Sequence, residues 1–390
     1  MNDNDPVPTE IFDALQTWAE SEQVRIDQVR CTNQHLLGHA FKYAQGNSRL
    51  AGVYPFEIEY TTRAGARETV QVMIKAKPNQ VEILAVYQRL LDAGNIQVSG
   101  QLDQLLQGSD YTSPNLKELV LFRDFADQLK PYLPASFGFL VDPDSGYSLR
   151  IEQTLAPGSV ILSPDDDTTE HWQPGFSNLV LVGMADLHSR FLDRYESLLD
   201  TGLIFNCDAQ AMIRGQPLWQ GLFHFIQQNF ASLMTPHRLE RHRRILETLD
   251  DWYPQVDRLP QTLLYGDVNP QNLAFEKTET GFQLSLFDWE RALVGLPQRD
   301  LAEHLIYTLV EDFDEQEAMA DVSAYRQALS GNTGISIDET TFNSGLKWML
   351  YDLVLNRLPL MLLVKHVANK RRHSDQAYEN AHRLIEILDR

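Results

Sequence analysis

Apolar and polar residues alternate through much of the segment from residue 25 to residue 78, as they do in half-buried β-strands. Three or more strands are predicted there, around Val29–Tyr43, Val53–Thr61 and Glu68–Lys77. Apolar residues with helical spacing precede them at Ile11–Glu22 and follow them at Gln80–Ala93. The pattern therefore predicts a strand-rich part of the chain with a helix before and after it.

The next part of the chain mixes the two patterns. Leu116–Leu129 has the spacing of a helix, and Phe137–Val141 has the spacing of a strand. Residues 94–114 are polar and predict an insertion or a long loop. Tyr147–Gly158 predicts a further strand that runs into a linker.

From Phe176 onward helical spacing dominates. The helices predicted in this part are Asn178–Leu192, Leu218–Phe230, Leu239–Leu249, a helix with the apolar stripe Leu301, Leu305 and Leu309, and a helical region over Thr341–Leu388. Apolar residues at every third or fourth position bury one face of each helix. The chain is long enough to bury a substantial core in two lobes.

Two short apolar runs inside this helical part each lead to an acid. Leu263–Tyr265 precedes Asp267, and Leu284–Phe287 precedes Asp288. Asn272 follows Asp267 by five residues, and residues 277–281 predict a hairpin turn. Phosphoryl transfer from a nucleotide needs one carboxylate for the attacking hydroxyl, and a carboxylate with an amide oxygen for Mg²⁺. These three side chains supply that set.

Three linked motifs carry a resemblance to a known family. They are Tyr265-Gly266-Asp267 through Asn272, then Phe287-Asp288-Trp289-Glu290, then Gly295-Leu296-Pro297-Gln298-Arg299-Asp300-Leu301-Ala302. The stretch resembles the catalytic segment of the aminoglycoside phosphotransferase and choline kinase-like superfamily, whose fold is similar to that of protein kinases. Tyr265 stands where the family usually has His, and Leu296 stands where it usually has Asp.

The resemblance implies an α+β, two-lobed protein kinase-like fold. Residues 1–155 would form an antiparallel-sheet lobe with the linker, and residues 156–390 a larger helical lobe, with ATP and Mg²⁺ between them. Asp267 would be the catalytic base. Asn272 and Asp288 would bind the metal, while Asp300 would brace the catalytic loop beside Tyr265.

The segment Val72-Met73-Ile74-Lys75 has the V-x-I-K form of a kinase strand whose lysine holds nucleotide phosphates. Strand alternation puts Lys75 and Lys77 on one face, so both compete for this role. Pro78 follows Lys77 directly, which favours Lys75. The resemblance implies a carboxylate partner on a following helix, for which Glu118 is favoured over Glu82.

Two further roles come from the resemblance. In the strand and linker Tyr147–Gly158, a run that includes Glu152 and Thr154 would present backbone groups to the adenine edge. His188 ends a Leu-His pair at the end of a core helix, and it is predicted to be structural.

Charge and cysteine content narrow the possible partners. The chain has 33 basic and 54 acidic residues, a net charge of −21, which argues against nucleic acid because binding there depends on neutralising phosphates. This charge permits a cationic substrate, and the acidic segment Glu311–Glu317 either attracts such a substrate or is a solvated loop or helix cap. Cys31 and Cys207 exclude a cysteine-built zinc site and fit a reducing compartment. The polar N-terminus and the lack of a long apolar run predict a cytoplasmic protein that does not enter a membrane.

The predicted function is transfer of the ATP γ-phosphate to a hydroxyl of a small molecule, such as an aminoglycoside or a choline-like metabolite. The loop from Asp267 to Asn272 contains no lysine, whereas protein Ser/Thr kinases usually have one, so a small acceptor is favoured over a protein. Two alternatives stay open: a nucleotide-binding pseudoenzyme, and a related enzyme that transfers another group or acts on a protein. The motifs do not identify the acceptor, or distinguish ATP from GTP.

Overall fold

The structure, a computed structural model, describes residues 9–32, 52–142, 144, 146–161, 172–173, 175–310, 312–368 and 373–390. The chain divides into two compact units. Unit 1 comprises residues 1–87 and 115–159, and unit 2 comprises residues 88–114 and 160–390.

The strands and helices of the described residues are numbered along the chain. The strands are β1 (Arg25–Cys31), β2 (Gly52–Thr61), β3 (Arg67–Lys77), β4 (Ser136–Val141), β5 (Ser148–Gln153), β6 (Val160–Ile161), β7 (Thr262–Leu264), β8 (Leu273–Lys277), β9 (Phe282–Leu286) and β10 (Leu293–Gly295). The helices are α1 (Thr9–Glu22), α2 (Gln80–Ala93), α3 (Leu102–Leu106), α4 (Pro114–Asp124), α5 (Ala126–Leu129), α6 (Phe176–Phe191), α7 (Glu196–Leu199), α8 (Ala209–Arg214), α9 (Gln216–Asn229), α10 (Pro236–Glu247), α11 (Leu249–Val256), α12 (Gln298–Thr308), α13 (Glu315–Thr333), α14 (Glu339–Leu355), α15 (Arg357–Ala368) and α16 (Ser374–Leu388).

Unit 1 is built on an antiparallel sheet with the strand order β1-β2-β3-β5-β4. One face of the sheet is apolar, with Val72, Ile74 and Ile151 fully buried, and helix α1 packs against this core through Ile11 and Leu15. Because strand side chains alternate, the residues between these apolar positions point to the other face. That face carries the charged residues of β3 and β5.

Unit 2 is mainly helical, with α12, α14 and α16 packed on one another and α6 packed on α13. Two small sheets lie within it, β6-β8-β9 and β10-β7, and both are antiparallel. An antiparallel-sheet unit and a larger helical unit confirm the predicted α+β class. Among the helices that the structure describes, none combines the length and the apolar composition of a membrane span.

Residues 94–114, predicted to be an insertion or a long loop, contain one short helix, α3, and cluster with unit 2. Apolar residues anchor this segment: Leu105 and Leu106 are buried, and Ile96 lies against Gly221. Asp110 is buried too and pairs with arginines of unit 2. Because most residues of this segment are polar, the pattern did not predict that these few positions are buried.

Two predicted features lie partly outside the described residues: the first strand beyond Thr32, and the acidic segment at Glu311. The remainder of the acidic segment is a helix cap, since Asp314 accepts a hydrogen bond of 2.7 Å from the Glu317 N–H at the start of α13. An acid at this position stabilises the helix N-terminus.

Candidate active site

The loop after β7 is fixed by Asp300, in the first turn of α12. The Asp300 carboxylate accepts hydrogen bonds from the N–H groups of Tyr265, at 2.8 Å, and Gly266, at 3.0 Å. His188 Nε2 lies 3.0 Å from the same carboxylate, and all of these groups are buried. Asp300 therefore holds the backbone immediately before Asp267, and His188 supports Asp300 from α6.

Gly266 has a backbone conformation that only glycine adopts easily, with φ of +79°. A Cβ atom at this position would meet the carbonyl oxygen of Arg291 at 2.4 Å. The chain can therefore turn tightly between Tyr265 and Asp267 only because this residue has no side chain.

The hairpin of β8 and β9 brings the two proposed metal ligands to one end. Leu273 pairs with Leu286, and the next residue, Phe287, donates its N–H to the carbonyl oxygen of Asn272 at 3.1 Å. Asp288 follows directly with φ of +60°, a left-handed conformation that Asp tolerates better than most residues. An amide oxygen and a carboxylate at one hairpin end fit Mg²⁺, which prefers oxygen ligands and keeps several waters. Within the residues that the structure describes, no group of three or more His, Cys, Asp or Glu side chains could form another kind of metal site.

Tyr265, at the position where the family usually has His, joins the two halves of this arrangement. Its hydroxyl donates to the carbonyl oxygens of Phe287 and, at 3.2 Å, of Asn272. Its ring is fully buried and packs edge-on against Trp289, with 5.0 Å between ring centroids. The tyrosine thus links the loop to the hairpin end that carries Asn272 and Asp288.

Replacing Tyr265 with Phe is expected to lower the free energy of unfolding by about 1–3 kcal/mol, because the Phe287 carbonyl oxygen, in a part-buried site, loses the tyrosine hydroxyl as a donor. Urea unfolding measures this loss. The matched control is Tyr60→Phe in unit 1, whose hydroxyl bonds to exposed Glu68 and should matter less. Equal losses in the two variants would contradict a linking role for the Tyr265 hydroxyl.

Asp267, the proposed base, is buried beside two guanidinium groups. Arg357, at the start of α15, donates from Nη2 to Asp267 Oδ1. Arg291 Nε lies 3.9 Å from Asp267 Oδ2, and Arg291 Nη1 donates to Asp110 at 2.8 Å. Both carboxylate oxygens of Asp267 therefore have a cation close by.

A second buried arginine, Arg299, connects the surrounding acids. It donates from Nε to Asp352 at 3.1 Å, and its other nitrogens lie 3.4 Å from Asp110 and 3.6 Å from Glu303. Glu303 accepts the Val268 N–H at 2.9 Å, which holds the loop on the far side of Asp267. Burial raises the pKa of Glu303 to about 7, despite the opposing effect of the arginines, and burial also raises the pKa of Asp352.

This charged network was not predicted from the sequence. Its members outside the predicted site residues are Asp110, Arg291, Arg299, Glu303, Asp352 and Arg357. Asp352 and Arg357 interrupt an otherwise apolar run between Trp348 and Val364, and a charge in such a run is rarely buried without a partner. These two charged residues in an apolar run were the sequence signal for a buried charged network.

On the charged face of the unit 1 sheet, two carboxylates meet three basic groups. Lys75 Nζ lies 2.9 Å from Glu152 and 4.0 Å from Glu118, while Lys77 Nζ lies 3.0 Å from Glu118. Arg150 donates to both carboxylates. Burial raises the pKa of Glu118, but Arg150 and the two lysines outweigh it, so the pKa lies below its ordinary value.

This geometry does not separate Lys75 from Lys77, since both contact Glu118. It does separate the two candidate partners on the helices. Glu82 accepts the Asn79 N–H at 3.1 Å and donates its own N–H to Asn79 Oδ1 at 2.9 Å, which is a reciprocal cap of α2. Glu118 is therefore the helix carboxylate in the lysine cluster.

Glu152 and Thr154, predicted to present backbone groups to an adenine edge, have partners within the sheet of unit 1. Glu152 lies inside the sheet, opposite Met73 and Ser136, and contributes its side chain to the charged cluster. The N–H and hydroxyl of Thr154 both donate to the Gln71 carbonyl oxygen at 3.1 Å. The sheet of unit 1 therefore engages the side chain of Glu152 and the N–H group of Thr154.

Comparison with known structures gives matches at low identity. A choline kinase, LicA from Streptococcus pneumoniae, is 12% identical over 98% of both chains, with a TM-score of 0.44. The GDP complex of aminoglycoside 2'-phosphotransferase-IIIa is 12% identical over 97% of this chain and 99% of that one, with a TM-score of 0.47. A microcompartment-associated aminopropanol kinase is 13% identical over 97% of both chains, with a TM-score of 0.42. No curated protein matches the sequence.

Residues 215–333 match a family described as the phosphotransferase enzyme family. The matched segment contains the loop with Asp267, the β8–β9 hairpin and the start of α12. Over this segment, the match confirms the predicted resemblance to a family of phosphotransferases.

Proposed function

We propose that this protein is an ATP- and Mg²⁺-dependent phosphotransferase that moves the γ-phosphate to a hydroxyl of a small molecule. The arrangement in unit 2 is the observation that supports this most. The loop with Asp267 and the hairpin end with Asn272 and Asp288 are tied together by one tyrosine hydroxyl and braced by Asp300. These hydrogen bonds fix the positions of the Asp267 carboxylate and of the two oxygen ligands. Fixed positions suit phosphoryl transfer, because this reaction depends mainly on orientation and charge stabilisation.

Each residue has a defined part in the proposed reaction. The acceptor oxygen forms a bond to the γ-phosphorus, the bond from that phosphorus to the β–γ bridging oxygen breaks, and ADP leaves. Asp267 orients the acceptor hydroxyl and takes its proton. Asn272 and Asp288 would hold Mg²⁺, which supplies charge neutralisation at the phosphates when it is bound. In unit 1, Lys75 would hold the α- and β-phosphates with Glu118 as its partner.

The Arg357–Asp267 contact is compatible with this role. Phosphoryl transfer passes through a loose transition state in which the nucleophile needs little activation, so orienting the hydroxyl matters more than base strength. The guanidinium fixes one carboxylate oxygen, and the carboxylate presents the other in a defined direction.

Labelled nucleotide tests the proposal against its alternatives. With ATP labelled in the γ-phosphate, we expect label in a small-molecule product from a panel of hydroxylated metabolites, and none with ATP labelled in the α-phosphate. Label from the α-position would show transfer of the AMP moiety instead. Label in a protein fraction would indicate a protein acceptor, and nucleotide binding without any turnover would indicate a pseudoenzyme.

The two lysines on β3 provide a matched pair of variants. Lys75→Met is expected to lower kcat/KM for ATP at least tenfold more than Lys77→Met, because we assign the phosphate contact to Lys75. Both lysines are similarly buried and paired, so the two variants should lose similar stability. Steady-state kinetics and urea unfolding, measured together, separate the two effects. A larger kinetic loss in Lys77→Met would move the role to Lys77.

A further inference from the structure

The guanidinium groups beside Asp267 bear on the class of acceptor, an inference that rests on the proposed function. Arg357 is 96% buried, since only 4% of its surface is exposed, and its Nη2 atom contacts the very carboxylate that is proposed to meet the acceptor hydroxyl. Arg291 lies on the other carboxylate oxygen at 3.9 Å. An acceptor that reaches Asp267 must therefore approach two cations.

Most N–H donors of Arg357 make no hydrogen bond with the described residues. Among the described residues, its only hydrogen bond is the one from Nη2 to Asp267, although a guanidinium has five N–H donors. Its Nε is buried without a hydrogen-bond partner, and the nearest carboxylate oxygen in an ion pair with it, Glu303 Oε1, is 3.8 Å away. A buried donor without a partner is costly unless a ligand or water satisfies it.

The acids around Asp267 are each held by other groups. Asp110 accepts from Arg291 and Arg299, and Asp352 accepts from Arg299 and Asn356. Glu303 accepts a backbone N–H, and burial raises its pKa, which disfavours the charged form. An ammonium group placed at Asp267 would therefore lie beside the guanidiniums of Arg357 and Arg291. Glu303 Oε1 has no hydrogen-bond donor among the described residues, but it too lies 3.8 Å from Arg357 Nε.

The geometry points to an acceptor that carries an anionic group, a carboxylate or a phosphate, near its reacting hydroxyl. Arg357 binds that anion through the N–H groups that Asp267 does not use, because a guanidinium can hold two carboxylate or phosphate oxygens at once. This makes Arg357 a specificity-determining residue, and it reverses the expectation of a cationic acceptor that the net charge of the chain permits.

A series of three-carbon compounds of different charge tests this assignment. Glycerate, glycerol 3-phosphate, glycerol and 3-amino-1,2-propanediol share a hydroxylated skeleton and differ in one group. Binding of each to the full chain is measured by calorimetry with saturating Mg-ADP, so that a compound need not be a substrate. We expect glycerate or glycerol 3-phosphate to bind about tenfold or more tightly than both other compounds. The compound that ranks first distinguishes a carboxylate from a phosphate.

Two variants show whether Arg357 is responsible. Arg357→Met should remove the preference for the anionic compounds, while Arg357→Lys, which keeps the charge but not the planar fork, should keep part of it. The order of the four affinities in the wild-type protein tests the acceptor class by itself, even if a variant does not fold. Tighter binding of the amine, equal binding of all four compounds, or no binding of either anion would overturn the inference.

The same titrations distinguish this inference from the proposed function. If Mg-ADP does not bind, the phosphotransferase proposal fails and the acceptor class fails with it. If Mg-ADP binds and the amine binds more tightly than the anions, only the acceptor class is wrong.

Discussion

Asp267→Asn is expected to lower kcat by about 10²–10⁴-fold, the usual contribution of a positioned group that accepts a proton. Asparagine keeps the size of the side chain and can still accept the hydrogen bond from Arg357, but it cannot take the acceptor proton. The affinity for Mg-ATP should change little, because Asn272, Asp288 and Lys75 remain. Steady-state kinetics with the acceptor from the label experiment measures the loss.

This variant also removes the counter-charge of Arg357, a buried guanidinium. An uncompensated buried charge destabilises a protein, in typical cases by about 3–5 kcal/mol. Kinetics must therefore be measured below the unfolding transition, with unfolding followed in parallel. Asp186→Asn, at a surface pair with Arg190 on α6, is the control and should change neither property much. A wild-type kcat in folded Asp267→Asn would contradict the assignment of Asp267 as the base.

Arg299→Leu is expected to lower the free energy of unfolding by about 3–5 kcal/mol. Arg299 is 5% exposed and is shared by Asp110, Glu303 and Asp352, so its loss leaves three buried acids with less positive charge. Leucine fills much of the same space, which separates the loss of charge from the loss of packing. Urea unfolding of the intact chain measures the change.

The control for Arg299 is Arg190→Leu, which removes an arginine that pairs with Asp186 one helical turn away on the surface. Exposed pairs of this kind contribute about 0–1 kcal/mol. A loss for Arg299→Leu as small as that of the control would mean that the buried network contributes little to the stability of unit 2.

The sheet of unit 1 was predictable because its signal is local. Val72, Ile74 and Ala76 alternate with Met73, Lys75 and Lys77, and an alternation of period two is enough to assign each residue to one face of a strand. The hairpin turn at residues 277–281 could be predicted for the same reason. In the structure, the Thr278 N–H donates to the Gly281 carbonyl oxygen. Neighbouring residues alone determine these features.

The charged network around Asp267 was not predictable because its partners are distant in the sequence. Arg357 lies 90 residues from Asp267, and Arg299 lies 189 residues from Asp110. A single sequence shows that a charge sits in an apolar run, but not which acid lies opposite. Likewise, the sequence shows Tyr at residue 265 where the family usually has His, but not that its hydroxyl reaches two carbonyl groups, because only the folded hairpin brings them near it.

The most direct test of the central proposal is the dependence of ATP affinity on Mg²⁺. Calorimetry should show that wild-type protein binds ATP more tightly with Mg²⁺ than without it, and that Asp288→Ala binds ATP equally in both conditions. Exposed Asp250 on α11, replaced by Ala, is the control and should behave as wild type does. Equal ATP affinity with and without Mg²⁺ in the wild type would contradict the metal site, and with it the proposed mechanism.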